Sequence, residues 1–213
     1  MLFVTEKNPT AINTAVKILK AGGVISFATE TVYALACDAS NDTAIKKLYQ
    51  LKKRQKEKPI SVLIKNLFTA KKTIALSEVE KKIAKNFMPG ALTLVVNKKP
   101  LSTDLSISNA LNNNEKEIGF RIPDHDFSLK LLNKFNGIIA ATSANISNQN
   151  PALNAKEVTN YFANKIDLLI DGGACKNRAA STVIKIEKNN SIIILRPGPI
   201  AIKDLEKFIL INE

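Results

Sequence analysis

Tryptophan is absent from the 213 residues, and aromatic residues make up only 6% of them. Stacking of exposed bases is therefore not indicated as the main way of holding a ligand. The two cysteines, Cys37 and Cys175, are too few and too distant for a zinc site readable from spacing. They read as small apolar residues in a reducing cytosol. His125 is the single histidine. A Ser-His-acid triad would have to be built around it, yet it stands in the turn-like Pro123-Asp124-His125-Asp126. The chain has no glycine loop followed by Lys and Ser or Thr, no GxGxxG and no GxSxG. No apolar run approaches the ~18 residues of a membrane helix. The start, MLFVTEKNPT, lacks the basic-then-apolar order of a signal peptide. The expected location is cytoplasmic, with no membrane partner.

Arginine is also scarce. The formal charge is +12, from 31 basic and 19 acidic residues, and only Arg54, Arg121, Arg178 and Arg196 among the basic ones are arginines. The charge points to a polyanionic partner. Abundant Lys, Asn and Ile are equally an expression of coding DNA rich in A and T. A chain so inclined to lysine keeps arginine where a rigid five-donor fork is needed, which makes these positions candidates.

Periodicity predicts alternating helices and strands. Asn8-Pro9 starts a helix that Gly22 stops, and Gly23 to Ala28 reads as a strand. Asp42 caps a helix through Leu51, followed by a strand Ile60 to Ile64. Ser77 and Glu80 form a capping-box pattern ahead of a helix that Pro89-Gly90 ends. Strands follow at Leu92 to Val96, Ile118 to Ile122 and Ile138 to Ala141, with a helix at Phe127 to Phe135. Residues 101–117 read as a polar surface loop. Asn154 and Glu157 open a helix reaching about Ile166, before a strand at Leu168 to Ile170. Thr182 to Ile186 and Ile192 to Leu195 read as a hairpin around Asn189-Asn190, and Ile202 to Ile211 as a closing helix. This mixture predicts an α+β fold with a mixed sheet.

Polar groups collect where these strands end: Thr29-Glu30-Thr31; Lys52 and Arg54 with Lys58; Thr142-Ser143-Ala144-Asn145; Ser181-Thr182; and Arg121 and Arg196. Each alone reads as a satisfied turn or a solvated charge run. Together they suit an anionic ligand in a crevice at strand ends. Lysine serves phosphate as a point charge, and arginine as a planar fork.

In this order, the segments resemble the YrdC/Sua5 family. ATETVYAL is similar to PT[DE]TVYGL, and Lys52-Lys53-Arg54 with Lys58-Pro59 to KxR…KP. MPGALT is similar to WPGPLT and IGFRIP to VAVRxP. Ser143-Ala144-Asn145, Ser181-Thr182-Val183 and Leu195-Arg196-Pro197-Gly198 match SAN, STV and LRPG. The resemblance implies a YrdC-like open twisted mixed sheet with flanking helices and a concave basic cavity. It implies a single domain over 1–213, in the short bacterial form, without the C-terminal domain of the longer Sua5 type. It implies condensation of L-threonine, bicarbonate and ATP to threonylcarbamoyl-AMP and pyrophosphate, which serves modification of tRNA adenosine 37 through a downstream threonylcarbamoyl transferase complex. Lys52, Arg54, Ser143, Asn145 and Arg196 would hold ATP, with Lys52 and Arg54 stabilising charge. Thr29, Arg121, Thr142 and Ser181 would hold threonine. Mg²⁺ would arrive with ATP, with no metal ligand from protein side chains. Ala34 stands where the family has glycine, so either its φ is negative or the turn differs. Asn148 stands at another such position, where asparagine tolerates a left-handed backbone.

Two other readings belong beside this one. A non-catalytic RNA-binding maturation factor would use the basic concave face, with weak tRNA binding. A carbamoyl-adenylate former would resemble the related domain of hydrogenase-maturation proteins, a reading weakened by the expectation of a single domain without the additional ones those proteins carry. Threonine-dependent use of ATP separates the synthase from both.

Overall fold

Alternation along the central strands assigns two faces to one mixed sheet. In β3 (Ala34–Asp38), Ala34 and Ala36 enter one apolar cluster while Leu35 and Cys37 enter another. In β8 (Ile139–Ser143), Ile139 and Ala141 join the first cluster and Ala140 the second. In β9 (Leu168–Asp171), Leu168 and Ile170 join the first and Leu169 the second. Successive side chains point to opposite faces, so the clusters lie on opposite sides of the sheet. The computed structural model describes residues 1–55, 58–99, 107–112 and 116–208.

The first face is covered by α1 (Ala11–Lys20) and α5 (Asp126–Phe135), through Ala15, Leu19, Leu131 and Leu132. The second face packs against α2 (Asp42–Lys52), α4 (Glu78–Phe87) and α6 (Ala155–Phe162), through Ile45, Leu48, Ile83, Val158 and Phe162. The remaining strands are β1 (Leu2–Thr5), β2 (Ile25–Phe27), β4 (Ser61–Leu63), β5 (Ile74–Ala75), β6 (Leu92–Lys98), β7 (Glu117–Arg121), β10 (Thr182–Ile186) and β11 (Ile192–Arg196). The order across the sheet is β1-β9-β2-β3-β8-β4-β7-β6-β10-β11, with β5 paired to β6. Four neighbouring pairs, β1/β9, β2/β9, β4/β7 and β6/β10, are parallel, and the others are antiparallel.

Beyond β8, the first face changes character. Ser61, Thr93, Val95, Gly119, Arg121 and Val183 stand there, alternating with the core residues Val62, Leu94, Phe120 and Ile184. Among the described residues, the helices that bury side chains on this face are α1 and α5. The half of the sheet built from β4, β7, β6 and β10 instead floors a cavity.

Most predicted elements are present, with instructive shifts. Ser77 and Glu80 make both bonds of the capping box. The hairpin β10/β11 turns at Asn190, whose φ is 64°. Asn41, one residue ahead of Asp42, caps α2 by accepting from the Ala44 amide. Asn8 closes a turn onto the Thr10 amide and hydroxyl, so α1 starts at Ala11 rather than at Pro9. The predicted loop at 101–117 contains a buried anchor: residues 109–111 form a 3-10 turn, and Ile107, Leu111 and Asn112 are buried. Its residues 101–106 and 113–115 lie outside the described ones. α7 (Ile202–Glu206) opens the predicted closing helix, whose positions from 209 onward also lie outside them. Ala34 opens β3 without a positive φ, whereas Asn148 has a φ of 67°.

Candidate active site

The cavity has a volume of about 640 Å³ and is lined by strand ends and the segments that follow them. Its floor depends on Gly119. A Cβ there would sit 2.6 Å from Ser61 Oγ and 3.2 Å from Thr93 Cγ2, so any side chain must displace the floor or fill the cavity.

One wall is the turn after β2. Thr29 Oγ1 donates to the Val32 carbonyl at 2.7 Å and accepts from the amides of Thr31 at 3.2 Å and Val32 at 3.3 Å. With its own proton committed to Val32, it accepts from the Thr31 hydroxyl at 2.8 Å. A single buried hydroxyl thus closes the turn, and Thr29 and Thr31 line the cavity beside it. Arg121, at the end of β7, donates from Nε to the Gly90 carbonyl at 2.9 Å, and its Nη2 stands 2.6 Å from Glu30 Oε1.

Arg54 follows α2, where Lys53 ends the helix in the left-handed conformation. Its Nε donates to the Lys58 carbonyl at 2.9 Å and its Nη2 to the Pro59 carbonyl at 3.0 Å, so the guanidinium is held in a fixed plane at the rim. At the end of β11, Arg196 donates from Nε and Nη2 to the Ser181 carbonyl at 3.1 and 2.8 Å. Nη2 also reaches Ser181 Oγ at 3.0 Å. Arginine only donates, so the Ser181 hydroxyl accepts there, and it shares a further hydrogen bond with the Thr93 hydroxyl, 2.7 Å away. The turn after β11 packs so closely on the Ala180–Thr182 backbone that a Cβ at Gly198 would overlap it.

Of the nine residues singled out from sequence, Thr29, Arg54, Arg121, Thr142, Ser143, Ser181 and Arg196 line this one cavity. Lys52 and Asn145 do not. Lys52 is 1% exposed, and its Nζ donates to the Ser143 carbonyl at 2.6 Å and to Asn145 Oδ1 at 2.8 Å, behind the wall. Burial, and then the charges of Arg54 and Arg196, lower its ammonium to about 7. Burial also lowers Arg54; it lowers Arg196 with help from Arg121 and Arg54. Both remain charged, since no protein environment deprotonates arginine near neutrality. The lining contains four cationic residues, Arg54, Lys58, Arg121 and Arg196, against the carboxylate of Glu117, which pairs with Lys185 at 2.8 Å. An anion is the complement of such a wall.

Glu30, Thr93 and Gly119 were not singled out as site residues. Glu30 stands in the same Thr29-Glu30-Thr31 triplet, but strand-end acids are usually solvated, and only the fold brings it to Arg121. Thr93 and Gly119 belong to MPGALT and IGFRIP, so their segments were visible although their parts in the floor were not.

A family model described as telomere recombination, that of the Sua5, YciO and YrdC proteins, matches residues 17–198. The chain is 33% identical over 188 residues to the putative threonylcarbamoyl-AMP synthase of Methanocaldococcus jannaschii, covering 87% of this chain and 84% of that protein. It is 34% identical over 195 residues to human threonylcarbamoyl-AMP synthase, covering 88% of this chain and 67% of that one. The crystal structure of Pyrococcus abyssi Sua5 complexed with L-threonine superposes with a TM-score of 0.90 at 31% identity. That match takes in 98% of this chain but 60% of the Pyrococcus chain.

Proposed function

This chain belongs to the Sua5/YciO/YrdC family, and we propose that it is a threonylcarbamoyl-AMP synthase. One observation carries the reading: Arg54, Arg121 and Arg196, from three separate segments, face a single cavity together with the hydroxyls of Thr29, Thr142, Ser143 and Ser181. The names of the relatives, and the threonine complex of the Pyrococcus protein, agree with that arrangement.

The reaction has two bond-forming stages. The threonine amine and bicarbonate give a carbamate and water. A carbamate oxygen then attacks the α-phosphorus of ATP, and the bond to pyrophosphate breaks as the mixed anhydride forms. Nucleophile and electrophile are both anionic, so the site must offset their repulsion and hold them in line. Arg54 and Arg196, each fixed by bonds to backbone carbonyls, serve the phosphates. Arg121 serves the threonine carboxylate, with Thr29, Thr142 and Ser181 around the amino acid and Ser143 facing the nucleotide. Lys52 and Asn145 act from behind the wall.

Among the described residues, no group of three or more His, Cys, Asp or Glu side chains could hold a metal ion. We assign Mg²⁺ to the ATP phosphates, where it would neutralise charge on the departing pyrophosphate. No helix of the described residues is long and apolar enough to cross a membrane, and cytoplasmic action is part of the proposal. The anhydride must be consumed by a transferase acting on a nucleophilic nitrogen, which we assign to adenosine of tRNA in a downstream complex.

The test is pyrophosphate release and mass spectrometry of the product with ATP, Mg²⁺ and bicarbonate, with and without L-threonine. A threonine-dependent adenylate of the expected mass is the predicted result. ATP binding with no such product would remove the synthase reading.

A further inference from the structure

Asn112 is 2% exposed and lines the cavity, although residues 107–112 lie outside every segment that carries the family resemblance. It closes the 3-10 turn Asn109–Leu111. That turn is anchored: Ile107 and Leu111 are buried in the core, and Tyr49 of α2 donates to the Leu111 carbonyl at 2.6 Å. Asn112 Nδ2 donates to the Glu117 carbonyl at 3.0 Å. This bond sets the amide, since the reverse orientation would bring two carbonyl oxygens together. Asn112 Oδ1 is left buried with no donor. An acceptor in that state costs free energy until a donor reaches it.

Its place in the cavity narrows what that donor can be. Arg121 ends β7, and Asn112 is bonded to Glu117, which opens it, so the two stand one strand length apart, on the order of 13 Å. β4 runs parallel to β7, which puts Pro59 and Ile60, just ahead of β4, at the Asn112 end. Pro59, Ile60 and Ile118 give this end apolar walls. The carboxylate of Glu117 is already paired with Lys185. Arg54, bonded to the Lys58 and Pro59 carbonyls, adds a cation suited to the phosphate to which a nucleoside is joined. Threonylcarbamoyl-AMP has the same layout, with its threonine carboxylate and its base amine at opposite ends and the phosphate between. A flat base with apolar faces and an N–H on its edge fits aliphatic walls and one buried acceptor.

We infer that Asn112 is a specificity-determining residue: its Oδ1 accepts from the exocyclic amine of the nucleotide base, so the cavity takes adenine and rejects a purine with oxygen at that position. The inference rests on the reading that this cavity takes ATP. A purine with an oxo group would set one carbonyl oxygen against another, with no proton between them. Burial of Oδ1 keeps water from relieving the mismatch.

Calorimetric titration of the whole chain tests this with Mg²⁺-ATP, Mg²⁺-ITP and the triphosphate of unsubstituted purine riboside. ATP should bind on the order of 10- to 100-fold more tightly than either analogue. In Asn112→Leu, which keeps the bulk but accepts nothing, ATP should weaken and the preference should fall to about 1. Asn112→Asp keeps an acceptor and should keep the preference; its loss there counts against the inference. Equal binding of the three nucleotides by the wild-type protein overturns the inference, whether or not the variants fold, and leaves the nucleotide reading standing. A preference that survives in folded Asn112→Leu also overturns it, because another group then reads the amine. So does a loss of affinity seen with 2′- or 3′-deoxy-ATP but not with the base analogues, which would give Oδ1 to the ribose. Binding of no nucleotide at all removes the ATP reading as well.

Discussion

Arg121 Nη2 lies 2.6 Å from Glu30 Oε1, and both side chains are less than a tenth exposed. The contact is an ion pair at close range without the alignment of a good hydrogen bond, and neither Glu30 oxygen has another partner. With Nε given to the Gly90 carbonyl, the fork is held in one orientation at the cavity wall. A carboxylate ligand then meets a guanidinium that needs no reorganisation, which is how a fixed donor gains more than a mobile one.

Breaking this pair by one charge and removing it by two should have different consequences. Arg121→Met leaves Glu30 buried and uncompensated, at a cost of about 3–5 kcal/mol of stability. The double variant Glu30→Gln, Arg121→Met removes both charges and should recover most of that loss in thermal unfolding. Threonine-dependent pyrophosphate release should remain down on the order of 100-fold in both, with ATP binding largely kept. Full recovery of threonine use in the double variant would show that Arg121 does not touch the amino acid.

Gly119 offers a test of the floor that does not touch a charge. Its side-chain space is bounded by Ser61 and Thr93, so Gly119→Val must push a branched group toward the cavity. The strand itself favours valine, and the fold should persist. We expect kcat/KM for ATP and threonine to fall on the order of 10- to 100-fold, as displaced reactants lose alignment. The variant's circular dichroism and melting temperature provide the check, and unchanged kinetics would mean that the ligands sit away from β7.

What could be read before folding, and what could not, follows from where each signal resides. Thr142 and Ser143 stand directly after the apolar Ile138 to Ala141, and Ser181 directly ahead of the strand Thr182 to Ile186, so period and polarity together placed them at strand ends. Lys52 sits in Lys52-Lys53-Arg54-Gln55, a run that looks solvated, and nothing local tells which lysine turns inward. Its burial is set by the phase of α2, which points Ala44, Ile45, Leu48 and Lys52 toward the interior. β3 was missed because Ala34-Leu35-Ala36-Cys37 is made of small residues with no polar alternation; it is buried on both faces, and such strands read as featureless runs. The Glu30–Arg121 pair joins residues 91 apart in sequence, and only the sheet order brings them together.

Ser77→Ala is the control for effects of stability alone. Ser77 Oγ accepts from the Glu80 amide at 3.2 Å, and Glu80 Oε2 accepts from the Ser77 amide at 2.7 Å, on an exposed helix start remote from the cavity lining. Loss of the hydroxyl should cost about 1 kcal/mol and lower the melting temperature by roughly 2–4 °C. Catalytic constants should not move. A loss of activity as large as that of Gly119→Val would mean that α4 is coupled to the site.

Glu6 should make stability fall as pH rises. Its Oε1 is buried without a hydrogen bond, 3.8 Å from His125 Nε2, and it packs against Gly172 beside Ala28, just ahead of the Thr29 turn. Burial, then Asp171 and Asp126, raises its carboxyl to about 7 from 4.5. Burial lowers the His125 imidazole, so the neighbour that could neutralise Glu6 is itself mostly uncharged near neutrality. Between these two values the folded protein holds a proton that the unfolded chain has released. The stabilisation from Glu6 is therefore complete below pH 4.5 and lost as pH rises through 7. Glu6→Gln fixes the side chain in a neutral form. Its melting temperature should match wild type near pH 5 and exceed it at pH 8, by the equivalent of on the order of 2 kcal/mol. The same difference in melting temperature at both pH values would mean that Glu6 does not titrate in this range, and that the Thr29 turn rests on a carboxylate already ionised.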